Sequence, residues 1–229
     1  MRISRQLVSL ALVATIIVLG SQLALPIGEG APGPAKPIVL RVKSDLGSCT
    51  GFVVSSRQTA SGAWRNLLLT AGHCLDSKVT VDDILALPVA FSTGRRNGGQ
   101  DYAVFSYETP QAVPVAQVRR EPLLRWEGGV GEPLYVWGYG RGAEKPWGSS
   151  GWYLGEDPDG FIVFSAKGEF GFSGSPVFDG SGRVVGIFVE AVAAPCKGLP
   201  CPRELGAPSY AVPVGRALDA TRETWSLGR

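Results

Sequence analysis

The chain has 229 residues, of which 45% are hydrophobic and 18% charged, with a formal net charge of +2 at pH 7. That length suits one large β domain or two small ones and supplies ample apolar material for a core, which excludes an intrinsically disordered chain. Near-neutrality without a basic run excludes an electrostatic nucleic-acid binder, and a single histidine among the 229 residues excludes a histidine-rich metal site.

In chain order, the first element is an address. Arg2 and Arg5 stand before residues 6–28, which carry no charge, and residues 7–19 (LVSLALVATIIVL) form a hydrophobic centre. A positive start followed by such a centre reads as a secretory signal. The small residues that a cleavage site needs at −1 and −3 are poorly placed, and the uncharged span approaches the roughly 20 residues that cross a bilayer. Residues 1–27 therefore read as a signal peptide or an N-terminal membrane anchor. Either way the arginines stay inside and the remainder is extracytoplasmic, secreted or anchored. Residues 28–37 (GEGAPGPAKP) are a Gly/Pro linker.

The rest reads as many short strands: 38–42, 49–55, 66–70, 78–81, 87–91, 102–106 and 113–118, then 134–137, 152–154, 161–165, 177–178, 184–189 and 210–212. Turn signals separate them, at 45–48 (DLGS), 96–99 (RNGG), 157–160 (DPDG) and 179–182 (DGSG). Strands at this spacing predict an all-β barrel or sandwich architecture and no βαβ units. One stretch is helical: Pro213 opens it, and it continues to Trp225 with Val214, Leu218 and Thr221 on one face.

Three short segments carry the chemistry. TAGHC (70–74) puts the sole histidine, His73, just past an apolar run; DYAVF (101–105) puts Asp101 at the head of another; GFSGSP (171–176) brackets Ser173 with glycines. Taken singly, each has an ordinary reading: a polar loop histidine, a turn aspartate, a Gly/Ser turn. Together they supply a serine that needs a base, an imidazole that titrates near working pH and a carboxylate to orient it. Glycines beside the serine also let backbone N–H groups converge on one point.

With VWGYG (136–140) between them, these motifs resemble the chymotrypsin/trypsin-like serine peptidase family over residues 38–226. The resemblance implies an all-β fold of two antiparallel six-stranded β-barrels with a C-terminal α-helix. The N-terminal β-barrel would span residues 38–118, and the C-terminal β-barrel with its helix residues 119–229. It implies His73 as general base, Asp101 as its orienting carboxylate, Ser173 as nucleophile and the N–H groups of Gly171 and Ser173 as oxyanion hole. Phe172 stands where the digestive branch has an aspartate that pairs with a freed N-terminus, and Ile38 and Val39 are followed by Leu40 and Arg41, without the Ile-Val-Gly-Gly start. Activation by unmasking an N-terminus is therefore not expected. Short gaps between the three residues resemble the bacterial, HtrA-like branch, and the expectation is a stand-alone peptidase domain without a PDZ domain.

In an exported protein the 4 cysteines suggest two disulfides, with three possible connectivities. The resemblance implies a Cys49–Cys74 bridge bracing the histidine loop, which leaves Cys196 and Cys201 to close a small loop. A four-cysteine zinc site is the rival, though the paired spacing is missing. No metal or other cofactor is expected. For specificity, the family places Lys167 at the base of the primary pocket and Val189, Glu190 and Ala191 on its wall. Lys167 would favour an acidic side chain before the scissile bond if it points inward; the competing readings are that Glu190 neutralises it or favours a basic group, or that Lys167 reaches solvent. The partners expected are protein or peptide substrates, no nucleic acid, and a membrane only through an uncleaved N-terminal segment. Two other functions stay open: a catalytically silent protein of this fold that binds partners through the cleft, and a hydrolase of small esters.

Overall fold

A computed structural model describes residues 39–45, 47–93, 100–126, 129–191 and 208–226. The signal or anchor, the linker, the 96–99 turn and both Cys196 and Cys201 lie outside them. No helix among the described residues is long and apolar enough to cross a membrane.

Six strands build the first barrel: β1 (Leu40–Ser44), β2 (Gly47–Gln58), β3 (Trp64–Ala71), β4 (Val79–Val81), β5 (Ile84–Ser92) and β6 (Tyr102–Thr109). They close in the order β1-β2-β3-β6-β5-β4, all neighbours antiparallel. The second barrel holds β7 (Pro133–Gly138), β8 (Trp147–Glu156), β9 (Ile162–Phe164), β10 (Pro176–Phe178), β11 (Val184–Ala191) and β12 (Ser209–Pro213), closed as β10-β11-β12-β9-β8-β7. This is the architecture that the family resemblance implies. Among the described strands, closure pairs each one on both sides, so these barrels present no open sheet edge.

Turn chemistry sets the hairpins. Asp82 and Asp83, both at positive φ (46° and 68°), make the two-residue link between Val81 and Ile84, the geometry that matches the twist of flanking strands. Asp179 Oδ1 accepts the N–H groups of Ser181 (2.9 Å) and Arg183 (3.0 Å), which folds the 179–183 turn on its own side chain.

Each barrel has its own apolar interior. Leu68, Phe105 and Val81 fill the first; Leu134, Phe164 and Phe172 fill the second. A third cluster joins the two, combining Phe52, Leu69 and Val104 with Ile187, Val212 and Val214. Helix α1 (Val214–Ser226) packs on β5, β6, β11 and β12, with Val214 and Ala217 fully buried.

Three local readings differ from the structure. Residues 113–118 are not a strand: Val118 makes one isolated bridge, to Val184. Pro114 has no N–H to give, and the segment changes partner, from Val53 (Ala116 N–H, 2.8 Å) to Val184 (Arg119 N–H, 2.8 Å), as it passes between barrels. Strand β8 starts five residues earlier than the apolar run at 152–154, because its Gly/Ser half pairs with β7 where large neighbours leave no room. A Cβ at Gly148 would lie 2.0 Å from the Trp137 ring. Pro213 ends β12 and the helix begins at Val214.

Candidate active site

The register of β3 on β6 brings the first two residues together. Ala71, the last residue of β3, pairs with Tyr102, the first of β6. The turn that follows one strand therefore touches the residue that precedes the other. His73 sits in the short 3-10 turn Gly72–Cys74, and Asp101 enters β6 with φ at +47°. The Asp101 side chain is only 9% exposed. Its Oδ1 accepts the His73 backbone N–H at 2.8 Å and its Oδ2 accepts from Nδ1 at 2.9 Å. A carboxylate only accepts, so this pair puts the ring proton on Nδ1 and leaves the Nε2 lone pair available. Cys74 is bridged to Cys49 of β2 (S–S 2.04 Å), which ties the histidine turn to a second strand.

Cys49, His73 and Cys74 are the group among the described residues whose ligand atoms approach within 4.8 Å of one another. Both sulfurs are spent in the disulfide, so neither is a thiolate to offer a metal.

The serine comes from the second barrel, in the loop between β9 and β10. Phe172 is fully buried, 4.4 Å from the Trp147 ring and 6.0 Å from Phe188. Where the sequence shows an aromatic in place of an aspartate, burial anchors the loop. Gly171 (φ +92°) and Gly174 (φ +84°) flank Ser173, and a Cβ on Gly174 would lie 2.1 Å from the Thr50 carbonyl. Only glycine permits that approach at that φ. Among the described residues, the N–H groups of Gly171 and Ser173 donate to no protein acceptor, while those of Phe172, Gly174 and Ser175 are all bonded. No hydrogen bond joins Ser173 to His73.

Thr50, which lies in none of the three chemical motifs, bolts the halves together. Its N–H donates to the Ser173 carbonyl (2.8 Å), and its hydroxyl donates to the Gly171 carbonyl (2.8 Å) and accepts from Tyr139 N–H (2.9 Å). Thr50 is fully buried beside Cys49. A polar residue within an otherwise apolar strand stretch was the available signal.

A cavity of about 760 Å³ unites the set. His73, Gly171 and Ser173 line it, with Lys167, Val189, Glu190 and Ala191 on further walls; Asp101 stands behind His73. Lys167 is 76% exposed, and the carboxylate 3.4 Å from its Nζ belongs to Glu169, itself 12% exposed. Arg141 Nε also pairs with Glu169. Phe170, 93% exposed, presents its ring at the rim.

Two closed antiparallel barrels, with a histidine–aspartate pair on one and a glycine-flanked serine on the other, define the two-barrel class of serine hydrolase folds. The chain belongs to the trypsin-like peptidase domain family, which matches residues 49–187. Among solved structures it is similar to the serine endoprotease from Yersinia pestis, at 18% identity and a TM-score of 0.60, covering 85% of this chain and 65% of that one. It is also similar to Rv3671c from M. tuberculosis H37Rv, in the inactive form of a serine-to-alanine mutant, at 18% identity and a TM-score of 0.57, covering 83% of this chain and 88% of that one. At that identity the likeness is one of fold, and the chain spans less than two thirds of the Yersinia protein. No curated protein matches the sequence.

Proposed function

We propose that this chain is an exported serine endopeptidase that hydrolyses peptide bonds through an acyl-enzyme on Ser173. The observation that carries the reading is the Asp101–His73 pair at 2.9 Å beside a cavity that also holds Ser173 and two unbonded N–H groups. Ser173 Oγ attacks the scissile carbonyl while His73 Nε2 takes its proton. The carbonyl oxygen becomes an oxyanion, held by the N–H groups of Gly171 and Ser173. When the C–N bond breaks, the imidazolium returns the proton to the leaving amine. A water, deprotonated by the same nitrogen, then hydrolyses the ester and restores Ser173. Asp101 stabilises the imidazolium at each step. These steps need no metal or organic cofactor.

Protein or peptide chains are the substrates of this reading. Residues 1–27 would export the domain and either leave it or anchor it to the membrane. The barrels would divide near residues 118 and 119, where backbone bonding passes from Val53 to Val184. For Lys167 in the specificity pocket, the large exposure and the Glu169 partner favour a rim position over a buried counter-charge.

The test is intact-mass analysis after exposure to a fluorophosphonate under oxidising conditions. One adduct on the parent, and none on Ser173→Ala or His73→Ala, is the expected result. A folded parent without adduct overturns the reading and leaves a cleft that binds without cutting.

A further inference from the structure

We propose that Arg141 and Glu169 are positioning residues for the oxyanion hole, their ion pair clamping the turn at 139–142 onto the loop that carries Gly171. This rests on the peptidase reading above.

The peptide between Phe170 and Gly171 decides whether the hole exists. In a trans peptide the C=O and the following N–H point in opposite directions, so turning the carbonyl away aims the N–H the other way. The Phe170 carbonyl accepts the backbone N–H of Arg141 at 2.6 Å. That bond turns the Gly171 N–H to the side opposite the Arg141 amide, and Arg141, Gly171 and Ser173 all line the cavity. Were the peptide to flip, a carbonyl oxygen would stand where an oxyanion must bind, and the developing charges would repel.

The clamp is itself held in an unfavourable backbone. Arg141 sits at φ +54°, ψ +32°, a left-handed conformation that a large side chain enters at a cost. Such an outlier persists where its surroundings over-determine it. Two contacts do so here. The Arg141 side chain, 77% exposed along most of its length, brings Nε onto the Glu169 carboxylate, which is nearly buried and also takes Lys167 Nζ at 3.4 Å. The main chain presses in as well: a Cβ on Gly171 would lie 2.3 Å from the Tyr139 carbonyl. Glu169 in turn accepts the Phe172 N–H on its own carbonyl (3.0 Å), two residues from the proposed oxyanion donor. The pair thus connects a strained turn to the loop that must be presented in one orientation. It stands in a chain whose residue before the serine is Phe172, without a carboxylate to do this work.

The experiment uses the full chain, with p-nitrophenyl acetate turnover and the rate of fluorophosphonate labelling as readouts. Glu169→Gln and Arg141→Ala should each lower kcat by roughly 10- to 100-fold, approaching the loss of one oxyanion donor. KM should stay within about twofold, since ground-state binding is spared. The double variant should be no slower than the worse single one, because both remove one device. Arg141→Gly, which takes positive φ freely and keeps its N–H, should recover most of the rate that Arg141→Ala loses, including in the Glu169→Gln background. Arg65→Ala, which breaks an ion pair to Glu108 on the first barrel, is the control and should leave the rate unchanged. Arg141 is exposed enough that its variants will fold even if Glu169→Gln does not. A labelled parent with parental kcat in Arg141→Ala overturns the proposal alone, as does a glycine variant no better than alanine. A parent that takes no label overturns the peptidase reading, and this proposal with it.

Discussion

The two halves of the site are held by different physics. On the first barrel, His73 and Asp101 hang from adjacent ends of one long antiparallel ladder, and two bonds to one carboxylate plus a disulfide complete the frame. On the second, Ser173 lies in a loop before a three-residue strand, where single backbone bonds are joined by side-chain contacts: the buried Phe172 ring, the Thr50 hydroxyl and the Arg141–Glu169 pair. Backbone ladders have few alternative registers, whereas a loop held by scattered single contacts can be released one contact at a time. The proposed base is therefore built in, and the loop of the proposed nucleophile is the half that can be adjusted.

The largest effect expected comes from breaking the built-in half. Asp101→Asn keeps the shape but offers an N–H to Nδ1, which drives the ring proton to Nε2 and removes the base. Turnover should fall by about four orders of magnitude, the loss this change causes in a triad of this type. A steady-state assay with any turned-over ester will read it, and a loss below tenfold would show that Asp101 does not set the tautomer.

Next comes the frame against the anchor, compared by denaturant midpoints. Phe172→Ala should cost about 3–5 kcal/mol through the cavity it leaves in the second barrel. Paired replacement of Cys49 and Cys74 by alanine should cost about 3 kcal/mol, from the loop entropy released in the unfolded chain. If the comparison holds, the cysteine variant keeps more of its activity at 10 °C than Phe172→Ala does, because the β3–β6 ladder still presents His73. The reverse order would mean that the disulfide, not the ladder, sets the base.

Thr50→Val sharpens the contrast further. It deletes the hydroxyl bonded to both Gly171 and Tyr139 while conserving volume, and should cost about 1–3 kcal/mol of stability by leaving buried groups unpaired. Its effect on turnover should appear in kcat with little change in KM.

The smallest effect involves a residue that does not line the cleft. Asp179 is 1% exposed. Burial works to raise its pKa, yet N–H groups of Arg183 and Ser181 and the guanidinium groups of Arg119 and Arg183 together hold it below the usual carboxylate value. A depressed folded pKa stabilises the fold above the unfolded value of about 3.9 and loses that contribution as pH falls through the folded one. Urea midpoints should thus decline below about pH 4, and Asp179→Asn should flatten that decline. An unchanged slope would remove Asp179 as its source.

Much of this was legible locally. Alternating apolar runs and Asp/Gly turns announced short strands, and twelve of them form. His73, Asp101 and Ser173 stood out because a histidine after an apolar run, an aspartate heading one and a serine between glycines are each short-range patterns. What misled was also local: residues 113–118 have strand composition but change partners midway, and the Gly/Ser half of β8 looks like a turn because its reason for being small is the Trp137 ring across the ladder.

By itself, then, the sequence determined the runs that become the twelve strands, the turns at 157–160 and 179–182 and the three chemically capable residues, since all depend on neighbours a few positions apart. Only the tertiary structure decided that Thr50 would bolt the serine loop to the other barrel, that Phe172 would serve as its anchor, and that Arg141 would meet Glu169. Those contacts join residues far apart along the chain. Thr50 reaches its partners across the apolar seam that the two barrels share, whereas Phe172 and Arg141 meet theirs through closure of the second barrel, and no local pattern encodes either meeting.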